Sequence, residues 1–111
     1  MKIYMYVDNP DLGENEQAMV DAIAQWVGED NPHAKFINAR DDEWTLGIEL
    51  EMKNRKFLAE PLNAMHKLAL KYKCDFVVGY IEDGEKEDVC YFGKEEGKPD
   101  LFEIGSYLGF G

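Results

Sequence analysis

The stretch "CDFVVGYIEDGEKEDVCYFG", residues 74–93, decides how the chain folds. Two runs rich in β-branched and aromatic residues flank Asp83-Gly84. A two-residue type I′ loop needs positive φ at both central positions, and Asp-Gly supplies it at little steric cost. A β-hairpin is therefore expected, in the register that sets Glu82 opposite Glu85. That register puts Cys90 opposite Val77 and Cys74 opposite Gly93, with the thiols roughly 10 Å apart along the strands. A disulfide tolerates a Cα separation of only about 7 Å, so two free thiols are expected. Val77, Ile81, Cys90 and Phe92 should share one face of the hairpin, and Phe76, Val78, Tyr80, Val89 and Tyr91 the other.

Upstream, "EWTLGIELEMK" (43–53) alternates strictly. Trp44, Leu46, Ile48, Leu50 and Met52 fall on one face and Glu43, Thr45, Gly47, Glu49 and Glu51 on the other, the pattern of a half-buried strand. Lys2–Val7 reads as a first strand, with Ile3, Met5 and Val7 opposed to Tyr4 and Tyr6, and "HAKFINAR" (33–40) as a second. A helix is predicted over about Glu14–Val27, because Met19, Ala22, Ile23, Trp26 and Val27 recur at helical spacing. Another is predicted over about Glu60–Tyr72, opened by Pro61 and carrying Leu62, Met65, Leu68, Ala69 and Tyr72. "DLFE" (100–103) resembles a capping box and should start a short last helix bearing Leu101, Ile104 and Leu108.

The order β-α-β-β-α-β-β-α predicts one α+β domain over residues 1–111. The first six elements form a ferredoxin-like βαββαβ unit, to which a hairpin strand and a short terminal helix are added. The expected sheet order is 5-4-1-3-2, mostly antiparallel, with the two longer helices on one face. The second face of the hairpin is also apolar and needs a cover, and the last helix is the one element left to provide it. If it falls short, Tyr4, Tyr6, Tyr80 and Tyr91 would form an exposed aromatic patch.

The formal net charge is −11. Residues 1–52 carry −9, residues 53–73 carry +5 and residues 74–111 carry −7. Such a field opposes direct nucleic-acid binding and anionic membranes, and favours a basic partner. No apolar run approaches the ~20 residues of a spanning helix, and no signal peptide is recognisable, so a cytoplasmic protein is expected. One serine and one threonine leave little scope for a hydroxyl nucleophile.

The acidic tip lacks an EF-hand pattern, because Gly79 stands where the first aspartate would be and strands flank the loop. It reads as a solvated tip or an acidic docking site. Glu49 and Glu51 lie about 7 Å apart on one strand face, with no histidine near them in sequence to complete a site. His33 and His66 belong to no ligand set. Cys90 sits beside Asp88 and near Glu87, the wrong surroundings for a reactive thiol. Trp26 and Trp44 read as core. "FGKEEGK" (92–98) lacks phosphate-loop spacing and reads as a loop. The basic segment Lys53–Lys73 reads as a wet helix face, or as a dock for an acidic partner or a second subunit. No catalytic residue, cofactor or metal is assigned.

The run "DVCYFGKEEGKPDLFEIGSYLGF" (88–110) resembles the C-terminal part of small acidic orphan proteins carried on bacterial mobile elements, such as integron gene cassettes. The resemblance implies a bacterial, soluble protein and supplies no functional residues.

These features point first to a non-enzymatic protein-binding module of immunity, antitoxin or adaptor type, or a homodimer. Its expected surface is Tyr4, Tyr6, Glu49, Glu51, Tyr80, Glu82, Asp83, Glu85, Glu87 and Tyr91, meeting a basic protein or a second copy. The alternatives are a small-ligand binder or enzyme with a pocket between sheet and helices, and a DNA mimic that inhibits a nucleic-acid-binding protein.

Overall fold

The computed structural model describes residues 1–110. The elements run β1 (Lys2–Asp8), α1 (Glu16–Val27), β2 (Ala34–Arg40), β3 (Trp44–Glu51), α2 (Ala59–Tyr72), β4 (Asp75–Glu82), β5 (Glu85–Gly93) and α3 (Leu101–Tyr107), with 3₁₀ turns at Gly13–Asn15 and Arg55–Phe57. The architecture is α+β. Five strands form one sheet in the order β2-β3-β1-β4-β5, and every neighbouring pair is antiparallel.

β1 is central, and residues Ile3 through Val7 are all buried. On one face Ile3, Met5 and Val7 lie in ladders with Leu50 and Ile48 of β3 and Val78 and Phe76 of β4. Met19, Ile23 and Val27 of α1 and Leu62, Met65 and Ala69 of α2 close over them. Both helices thus present the stripes expected of them, because their apolar residues recur every three to four positions.

The hairpin forms at the expected turn, with Asp83 at φ 52° and Gly84 at φ 80°. The expected register runs from Glu82–Glu85 to Gly79–Asp88 and then shifts by one residue, so that Cys90 faces Val78 and Phe92 faces Phe76. Val89 is the extra residue of a β-bulge. The expected division of the hairpin's faces is therefore corrected. The bulge carries Cys90 and Phe92 to the side of Phe76 and Val78, where Phe92 stacks on Phe76 with ring centroids 5.4 Å apart. A bulge re-aims every side chain beyond it, and this one exchanges the half-exposed Tyr91 for Phe92 in the core.

A second correction concerns α3. Asp100 caps it as expected, accepting from the backbone N–H groups of Phe102 and Glu103 at 3.0 and 3.1 Å. The helix does not cover the free face of the sheet. Ile104 and Leu108 join the core cluster that α1 and α2 also enter, α3 packs against β5, and Gly105 lies against the side chain of Arg55, just before α2. The alternative of an exposed aromatic patch is not realised either. Tyr4 and Tyr6 are only 1% and 7% exposed, and Tyr80 pairs with Ile3 on the helix-covered face. Both tryptophans pack against the core but are half-buried.

Candidate functional site

Among the described residues no helix covers the second face of the sheet, which is closed by its own side chains. Tyr4 pairs with Gly79 and Tyr6 with Gly47. A Cβ at Gly79 would overlap the Tyr4 ring and the Glu87 carbonyl, so the bare backbone there is what lets the ring lie flat. The two rings stack with centroids 4.5 Å apart. Tyr6 Oη donates to Glu49 Oε2 at 2.6 Å, and Tyr4 Oη donates to Asp88 Oδ1. Lys86 Nζ sits 4.8 Å from the centre of the Tyr6 ring. Burial, then the hydrogen-bonded carboxylates, raise both phenols well above the ordinary tyrosine range. These groups are protonated donors at neutral pH, not bases or nucleophiles.

Of the surface expected from sequence, Tyr4, Tyr6, Glu49 and the exposed Tyr91 come together on this face. Tyr80 is on the other side. Glu82, Asp83, Glu85 and Glu87 stand exposed at the hairpin tip. Glu51 lies at the far end of β3, where Oε1 is 3.2 Å from the N-terminal ammonium of Met1.

Glu51 also borders a cavity that the sequence reading did not locate. It has a volume of about 610 Å³ and opens between the C-terminal end of α1, the start of β2, the end of β3 and the start of α2. Its apolar wall is Trp26, Pro32, Leu50, Met52, Phe57 and Pro61, and its polar groups are Asn31, His33, Glu51, Lys53 and Glu60. That size and mixture are typical of a small-molecule site, which falls at about 300–1,000 Å³. Trp26 sits in the last turn of α1, half-buried, with one side on the core and the other lining the cavity.

The walls are held by short-range bonds. Asn31 Oδ1 accepts from the N–H groups of His33 and Ala34 at 2.9 and 3.0 Å, folding the loop around Pro32. Asn54 Oδ1 accepts from Lys56 N at 3.0 Å and caps the 3₁₀ turn that presents Phe57. The backbone bond from Glu51 N to His33 O, at 3.1 Å, ties the two segments together. Phe57 is 56% exposed at the mouth, an unusual place for a large aromatic ring. The one sequence signal for this site was the pair of Asn-led turns, "NPHA" (31–34) and "NRKF" (54–57), the second carrying Phe57 outside any strand.

Cys74 and Cys90 are both free. Burial, then the negative charge of Asp75, pushes Cys74 up to about 12. Burial, then Glu103, pushes Cys90 up to about 11, and a protonated thiol is a poor nucleophile. Among the described residues, no three His, Cys, Asp or Glu side chains are grouped to hold a metal ion, and no helix is long and apolar enough to cross a membrane. No protein-family model, curated protein or solved structure matches the chain.

Proposed function

We propose that this protein binds a small amphipathic molecule in the cavity between α1, α2 and the β2–β3 end of the sheet. One observation carries the reading: a cavity of about 610 Å³ that joins an aromatic and aliphatic wall to a few charged groups at its mouth. Binding there would bury the exposed face of Phe57 and the open side of Trp26. We read the scaffold as ferredoxin-like with one strand added at the β5 edge. Such a fold hosts many functions, so the assignment rests on the cavity and not on the fold.

The test is a thermal-shift screen of a metabolite library, followed by tryptophan fluorescence on a Trp44→Phe variant in which Trp26 is the one reporter. Compounds that raise the melting temperature should change Trp26 emission and lose affinity in Phe57→Ala. Phe57 is exposed, so that variant should stay folded. A library without one such compound would sink the reading.

A second reading is supported by the hairpin tip, where Glu82, Asp83, Glu85 and Glu87 are all exposed and suit a basic protein partner. A tagged pull-down should then retain one basic protein at low salt and release it at high salt.

A further inference from the structure

The charges at the mouth of the cavity are not all available to a ligand. Glu51 is engaged by the N-terminal ammonium. Glu60 and Lys53 are exposed, line the same cavity, and have no ion pair among the described residues, not even with one another. An unpaired carboxylate and an unpaired ammonium thus line a pocket whose wall is apolar, and a second ammonium unpaired among the described residues, Lys56 Nζ, lies 5.1 Å from the centre of the Phe57 ring.

We infer that the cavity selects a zwitterion with an apolar body, an amino-acid-like molecule whose ammonium meets Glu60, whose carboxylate meets Lys53 and whose side chain packs on Trp26 and Phe57. The inference rests on the ligand-binding reading above and adds the chemical class. A simple cation would gain Glu60 but be repelled by Lys53. A simple anion would meet the opposite conflict. A ligand with both charges satisfies both groups at once, and its apolar part displaces water from the Trp26–Met52–Phe57 wall. The contacts lie at an open mouth, so each ion pair is a modest contribution, and the ranking of ligands reports it better than any single affinity.

Four probes share one phenyl body: L-phenylalanine, phenethylamine, 3-phenylpropanoate and 3-phenylpropan-1-ol. Their affinities are measured through Trp26 fluorescence in the Trp44→Phe protein. Phenylalanine should bind about five-fold more tightly than either singly charged probe, the factor expected from one added surface ion pair. Glu60→Gln should weaken phenylalanine and phenethylamine but not 3-phenylpropanoate. Lys53→Met should weaken phenylalanine and 3-phenylpropanoate but not phenethylamine. These exposed substitutions should leave folding intact, which the thermal transition checks.

The inference is overturned if either singly charged probe binds as tightly as phenylalanine, or if both substitutions leave phenylalanine unaffected. Equal affinity for all four, the alcohol included, would overturn the zwitterion while the cavity reading stood. Binding of none would also overturn it, and the library screen would then decide the cavity reading on its own.

Discussion

The two faces of the sheet solve the same problem with different materials. On one, Ile3, Met5, Ile48, Phe76 and Phe92 are fully buried beneath α1, α2 and α3. On the other, among the described residues, no helix arrives; Tyr4 lies over Gly79, Tyr6 stacks on Tyr4, and both hydroxyls are bonded to carboxylates. The first face gains from burying apolar area, which is non-directional. The second depends on close fit over glycine and on hydrogen bonds at the rim. The contrast teaches that a strand can be buried on both sides with a second layer on one side only, provided its neighbours leave room for its own rings.

The comparison can be broken most severely on the helix-covered face. Phe92→Ala should cost about 3–5 kcal/mol, because it opens a cavity against Phe76. Urea unfolding would measure it, and a loss below about 1 kcal/mol would show that the bulged register is not what positions this ring. Gly79→Ala should follow at about 3 kcal/mol, since its Cβ meets the Glu87 carbonyl as well as the Tyr4 ring, and backbone cannot step aside. A near-neutral effect would mean that Tyr4 does not lie over Gly79.

Tyr4→Phe and Tyr6→Phe should cost about 1 kcal/mol each. Each keeps the ring and removes one hydrogen bond, and the freed carboxylate can turn to water. Their second signature is in pH. The unfolded chain loses its tyrosine protons near pH 10, whereas folded Tyr4 and Tyr6 keep theirs because burial and the carboxylates raise both phenols. The folded state then binds more protons, so stability is fully present below about pH 10 and falls as pH rises above it. The double variant Tyr4→Phe/Tyr6→Phe should lose part of that alkaline slope. The two thiols add to the slope in both proteins, so the difference between them isolates the phenols. The smallest effect belongs to the tip: Glu85→Gln should change stability by less than about 0.5 kcal/mol, because the residue is exposed and unpaired.

Much of the fold was legible in local signals. The alternation of residues 43–53, the helical stripes of Met19–Val27 and Leu62–Ala69, the Asp83-Gly84 turn and the Asp100 cap each act within a few residues, and each reads correctly. The hairpin register failed beyond Gly79, because whether Val89 bulges depends on which of Tyr91 and Phe92 the core can hold. The candidate surface was less legible. Tyr4 and Tyr6 could be placed on one face together, but not recognised as buried, since that follows from the bare backbone at Gly79 on another strand and from the stacking of the two rings.

The sequence by itself determined which segments are strands and helices and where the chain turns, and the succession of these elements pointed to the antiparallel order in which the strands lie. Periodicity, turn chemistry and capping are short-range, and they survive without knowledge of partners. Only the tertiary structure decided that α3 joins the other two helices, that the tyrosines close the open face, and that Trp26, Phe57, Lys53 and Glu60 surround one cavity. Those outcomes depend on which surfaces remain uncovered once the sheet and the longer helices have packed. That remainder is a property of the whole molecule and is written in no single stretch of it.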